Sequence, residues 1–123
     1  LYKVFKEAEF SAAHSLRGYK GRCESMHGHN WQVRLQIRAI DTDSLGMVVD
    51  FEEIKQALAK VIGKLDHQNL NEIPPFNELN PTSENIAKHI FEEASGLLNT
   101  DRVKVDSVMV WEKQSSCAVY EAD

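Results

Sequence analysis

The chain has 123 residues, 42% hydrophobic and 27% charged. A chain of this size buries roughly two-thirds of its unfolded surface, so one domain spanning 1–123 is expected. Fourteen Lys and Arg against nineteen Asp and Glu give a net charge of −5, which excludes nucleic-acid binding through a broad positive field.

In chain order, Leu1 to Ala13 is rich in strand formers and reads as a strand, and Arg17 to Glu24 reads as a loop. From Trp31 to Ile40 the alternation is clean: Trp31, Val33, Leu35, Ile37 and Ala39 share one face of a half-buried strand. Asp50 is placed to cap a helix, with Glu53 completing a capping box, and Phe51, Ile54, Leu58, Val61, Ile62 and Leu65 form its apolar stripe. Asp66 to Pro81, rich in Asn and Pro, reads as a long loop, a length that marks function or disorder. A second helix starts near Thr82 or Ser83 and runs to Leu98, burying Ile86, Ala87, Ile90, Phe91, Ala94 and Leu97. Val103 to Glu112 and Ser116 to Ala122 close the chain as a hairpin.

The order strand, strand, helix, helix, strand, strand predicts an α+β fold: a four-stranded antiparallel sheet with two helices on one face. Val103 to Glu112 is apolar on both faces, with Val105, Met109 and Trp111 on one and Val108 and Val110 on the other. Two helices cannot cover both, so other subunits are expected over the second face and the sheet edges.

No apolar run approaches the ~18 residues that span a bilayer, so no membrane partner is expected. No signal-peptide pattern stands in the opening residues, and the only thiols are Cys23 and Cys117; the expected compartment is a reducing cytoplasm.

Three of the five histidines precede residue 30. His27 and His29, two apart in an extended segment, project to one side in phase with Trp31, and His14 ends the first strand in phase with Phe10 and Ala12. Three neutral imidazoles leave a tetrahedral position open, as a catalytic zinc requires; three unrelated loop histidines are the plainer alternative. Cys23 is open to three roles: fourth ligand of a structural zinc, buried thiol, or a thiolate base with its pKa lowered beside a metal and Arg22. Cys117 reads as packing and His89 as a surface histidine. Asp66 beside His67 suits a proton shuttle, or His67 simply stabilises a helix C-terminus. Glu112, in phase with Val108 and Val110, is either a solvated strand end or a buried acceptor, and the sequence favours the former.

Four blocks carry a resemblance: Ala12-Ala13-His14, Cys23-Glu24-Ser25-Met26-His27-Gly28-His29, Leu65-Asp66-His67-Gln68-Asn69-Leu70-Asn71 and Asn80-Pro81-Thr82-Ser83-Glu84-Asn85. Together they resemble the 6-pyruvoyltetrahydropterin synthase family over essentially the whole chain, most of all its bacterial queuosine branch, which makes 6-carboxytetrahydropterin. The resemblance implies the tunnelling fold, with an oligomeric barrel built from three subunits and two such trimers stacked into a homohexamer. It implies zinc on His14, His27 and His29, Cys23 as the proton-transferring residue, and Asp66 with His67 as its relay. It also implies that Glu112 anchors the pterin, with Thr82, Ser83 and Glu84 as a pterin-contacting segment lent by a neighbouring subunit. The implied substrate is 7,8-dihydroneopterin triphosphate. Glu24 superimposes E-x2-H-G-H on C-x3-H-G-H, the spacing of a subgroup that makes 6-hydroxymethyl-dihydropterin, so Glu24 is a second candidate for catalysis.

Overall fold

A computed structural model describes residues 1–22 and 24–122. Period-two alternation sets the sheet. β1 (Tyr2–His14) and β2 (His27–Ala39) pair antiparallel along their full length, from Tyr2 against Ala39 to His14 against His27. Even residues of β1 and odd residues of β2 face the same side, so Phe10 and Ala12 join Trp31, Val33, Leu35 and Ile37 in the core. β4 (Lys104–Lys113) pairs with β2, and β5 (Ser116–Glu121) closes the hairpin against β4.

The sheet has five strands rather than the expected four, and it is mixed. β3 (Gln68–Asn69) runs parallel to β1 opposite Ala12 and Ala13, giving the order β3-β1-β2-β4-β5. Two residues carry no readable alternation, so nothing in the sequence marks this strand inside the long segment after the first helix. That segment is ordered by burial: Leu70, Phe76 and Pro81 are buried in it, and Leu70–Glu72 forms a single 3-10 turn.

α1 (Phe51–Gly63) packs on β1, and α2 (Ser83–Leu98) on β4 and β5, both on the same face. Asp50 caps α1, its carboxylate accepting the N–H of Glu52 at 2.9 Å, and Thr82 caps α2 by accepting the N–H of Asn85 at 3.1 Å. Two members of the expected stripes lie outside the core. Phe51 at the first turn of α1 is 53% exposed, and Leu97 at the last turn of α2 is 46% exposed.

A bulge in β4 corrects the two-faced reading of that strand. Ile37 pairs with Val105 but Gln36 with Ser107, so Asp106 is an extra residue and the phase steps by one. Val105 therefore faces the core with Val108 and Val110, while Met109 and Trp111 lie on the open face. There Arg34 is held over Phe5, 4.0 Å from the ring centroid, and pairs with Glu7 at 2.7 Å. Cys117 is exposed on that face of the edge strand, not packed as expected. His89 is half-buried rather than on the surface, edge-on to Phe76 at 5.3 Å, and burial lowers its pKa.

Leu35→Ala, which empties a fully buried position, should lower the urea unfolding free energy by about 2–5 kcal/mol. Leu97→Ala should change it by no more than about 0.5 kcal/mol.

Candidate metal centre

The β1–β2 register puts three imidazoles at one end of the sheet. His14 ends β1 directly opposite His27, and His29 lies opposite Ala12. Their ring centroids are 4.6 to 5.2 Å apart. Trp31 forms the floor, edge-on to His14 at 4.9 Å and to His29 at 5.3 Å, with its indole N–H donated to the Ala12 carbonyl.

Glu112 arrives from β4. The β4–β5 register passes from Trp111 against Cys117 to Lys113 against Ser116, leaving Glu112 as the extra residue of a second bulge. Bulges re-aim side chains. Glu112 Oε1 stands 2.8 Å from His29 Nε2, 3.3 Å from His14 Nε2 and 3.9 Å from His27 Nε2. The four donor atoms all lie within 4.8 Å of one another.

This arrangement could hold a metal ion, and the hydrogen bonds around it fit one. His14 Nδ1 donates to the Pro81 carbonyl at 2.7 Å and His27 Nδ1 to the Ser25 carbonyl at 2.8 Å. Carbonyl oxygens only accept, so both protons sit on Nδ1 and both Nε2 lone pairs face inward. Those two nitrogens are 3.1 Å apart, a contact that repels unless a proton or a cation lies between them. His29 Nε2 is buried without a hydrogen bond, because its close contact with Glu112 lacks donor geometry. Burial, with His14 and His27 beside it, holds the His29 pKa below its ordinary value against the opposing pull of Glu112. A neutral imidazole is the form that binds metal.

Asp66 and His67 dock farther up the same strand. Asp66 Oδ1 accepts the Ser11 N–H at 2.9 Å, the His67 N–H reaches the Ser11 carbonyl at 2.6 Å, and Asp66 Oδ2 lies 3.0 Å from His67 Nδ1. His67 adopts a positive φ of 59° and its side chain is largely exposed. His67 and His29 line one groove of about 500 Å³ with Ser11, Gly28 and Asn69. Glu24 lies beside the cluster, with Oε1 4.0 Å from His27 Nε2, but the same oxygen accepts the Leu16 N–H at 3.1 Å. Thr82, Ser83 and Glu84 do not line the groove: Thr82 is occupied as a helix cap and Glu84 is exposed. Cys23 lies outside the described residues.

The family model for 6-pyruvoyl tetrahydropterin synthase matches residues 3–123. The chain belongs to this family. It is an enzyme of the pterin synthase group, and the family's solved structures share its fold. That of the Caenorhabditis elegans 6-pyruvoyl tetrahydropterin synthase superposes with a TM-score of 0.86 at 25% identity, covering 99% of this chain and 96% of that one. A protein of Archaeoglobus fulgidus, provisionally named a 6-carboxy-5,6,7,8-tetrahydropterin synthase, is 44% identical over 78% of this chain and 79% of its own. The 6-carboxy-5,6,7,8-tetrahydropterin synthase of Rickettsia typhi is 32% identical over 94% and 96%.

Sequence reasoning underweighted Glu112, although its phase with Val108 and Val110 was the signal that it faces inward. It missed the carbonyls of Pro81 and Ser25, which are backbone groups and leave no trace in residue type. The Asp66 carboxylate gives this family member a pH signature. The Ser11 N–H, followed by His67, lowers its pKa below the ordinary 3.8. A depressed pKa contributes stability that is present above 3.8 and is lost as pH falls through the lowered value. The stability difference between wild type and Asp66→Ala, measured by urea titration, should be present at about pH 5 and shrink in stronger acid.

Proposed function

We propose that the chain is a zinc-dependent 6-carboxytetrahydropterin synthase working as one domain. It converts 7,8-dihydroneopterin triphosphate and one water to 6-carboxy-5,6,7,8-tetrahydropterin, with release of acetaldehyde and triphosphate, for a queuosine-type pathway. The observation that carries this reading is the gathering of three imidazole nitrogens and the Glu112 carboxylate within 4.8 Å of one another, beside a groove that His29 lines together with His67. The relatives that bear the 6-carboxy name support the choice of product.

His14, His27 and His29 would hold the zinc, and bound there it supplies Lewis acidity toward the hydroxyls of the substrate side chain. Cys23 removes and returns protons at the side-chain carbons; a reduced thiol in this role suits a cytoplasmic enzyme. Asp66 holds His67 by Nδ1, leaving Nε2 to move a proton at a substrate hydroxyl. Glu112 accepts from the 2-amino and N3 groups of the pterin. Thr82, Ser83 and Glu84 complete the pterin contacts from a neighbouring subunit, consistent with their absence from the lining of this chain's own groove.

A second reading, folate-type cleavage to 6-hydroxymethyl-7,8-dihydropterin through Glu24, has the 4.0 Å approach of Glu24 to His27 behind it. One assay separates the two. Zinc-loaded protein is incubated with 7,8-dihydroneopterin triphosphate and the pterins are identified by mass. The 6-carboxy product should dominate and fall at least about 100-fold in Cys23→Ala. A 6-hydroxymethyl product that survives Cys23→Ala and disappears in Glu24→Ala would establish the second reading instead. In the same assay Glu112→Gln should raise KM by about tenfold or more with zinc content unchanged. Loss of zinc from that variant would make Glu112 a metal ligand rather than a pterin anchor.

Self-association into a homohexamer, a dimer of trimers, belongs to this proposal. Among the described residues β1 has no strand partner on its outer edge from Tyr2 to Phe10, and β5 has none on its own. The open face carries Phe5, Met109, Trp111 and Val119. Light scattering should give six times the chain mass; a monomer would refute the assembly.

A further inference from the structure

Ser15, Leu16 and Arg17 follow His14 as the chain leaves the sheet, and each is gripped at both backbone groups by one residue. Asn71 Oδ1 accepts the Ser15 N–H at 2.9 Å while its Nδ2 donates to the Ser15 carbonyl at 2.9 Å. Asn80 treats Arg17 the same way, at 2.8 and 2.9 Å. Between them Leu16 donates its N–H to Glu24 Oε1 and accepts the Glu24 N–H, each at 3.1 Å. All six backbone groups of the segment are thus paired with no strand beside them. Two carboxamides take the place of a strand's alternating N–H and C=O groups.

The grip is reciprocal. Arg17 Nη2 donates to the carbonyls of Asn71 at 3.2 Å and Phe76 at 2.7 Å, tying the loop that carries both asparagines. Asn85 Nδ2 fixes the Asn80 carbonyl at 2.8 Å. The residue after Asn80 is Pro81, whose carbonyl receives His14 Nδ1. His14 is therefore set from two directions by one unit: its backbone adjoins the clamped Ser15, and its ring is oriented by the residue next to the clamping Asn80.

We propose that Asn71 and Asn80 are positioning residues for the inward-facing Nε2 of His14; this rests on the reading of the histidine cluster as a metal site. Each carboxamide sets the angle at which the imidazole meets a cation, without touching cation or substrate. Asn71→Asp and Asn80→Asp are the sharpest variants, because they keep size and acceptor but place an oxygen against the Ser15 or Arg17 carbonyl. Asn99→Ala is the control, removing a comparable side-chain bond, to the Val105 N–H at 2.7 Å, that does not lead to His14.

The experiment is a titration of metal-free protein with Co²⁺, followed by the visible ligand-field bands. Wild type should give tetrahedral bands. Asn71→Asp and Asn80→Asp should bind about 10–100-fold more weakly with shifted bands, and Asn99→Ala should match wild type in both while losing thermal stability. Wild-type affinity and bands in both aspartate variants overturn the proposal. Absence of a tetrahedral spectrum in wild type overturns the metal reading itself, and the proposal with it. If circular dichroism shows that the aspartate variants do not fold, Asn71→Ala and Asn80→Ala, which remove both bonds without adding a charge, carry the same comparison.

Discussion

The antiparallel register of β1 and β2 is the constraint on which the rest depends. Each strand is 13 residues long, and the ladder runs unbroken from Tyr2–Ala39 to His14–His27. A slip of one residue would turn Trp31, Val33, Leu35 and Ile37 to the open face and carry His27 and His29 away from His14. The core and the imidazole cluster are thus specified by one choice of pairing. Trp31 shows the coupling most directly, since it is both a fully buried core residue and the floor beneath two of the histidines. Because the sheet is rigid, the histidines start from positions already close to one another, and little ordering entropy is left for a ligand to overcome.

The segment from Asp66 to Pro81 is the second dependent feature. It runs beside the end of β1 and the residues that follow it and satisfies their backbone groups in succession: Ser11 by Asp66 and His67, Ala12 and Ala13 by β3, Ser15 by Asn71, Arg17 by Asn80. Its abundance of Asn follows from this work. A carboxamide is the side chain that can both donate to a carbonyl and accept from an N–H of the same residue. The positive φ of His67 has a comparable origin, because the chain must turn sharply from the end of α1 to lie along β1.

Electrostatically the molecule combines an acidic total with a locally demanding site. The net charge is −5, yet the proposed substrate carries a triphosphate. Lys20 and Arg22, exposed in the loop that precedes the histidine motif, supply positive charge on this chain, and a metal cation would add more. Burial holds the His29 pKa below its ordinary value against the pull of Glu112, which favours the neutral form of that imidazole, the form that binds a metal cation.

By itself the sequence determined the α+β class, the order and near-complete extent of the long elements, and the identity of the three histidines. Alternation and helical spacing are local patterns, and residue phase along a strand says which side chains share a face. The four motif blocks also identified the family. Only the tertiary structure decided where those patterns break. The extra residue at Asp106 moves Val105 onto the core face and leaves Met109 and Trp111 on the other, and the second bulge aims Glu112 at His29. The two-residue β3, the carbonyls of Pro81 and Ser25, and the clamps of Asn71 and Asn80 likewise depend on long-range backbone pairing. Backbone donors and acceptors are common to nearly every residue, so their partners follow from where the chain folds and not from which side chains it carries.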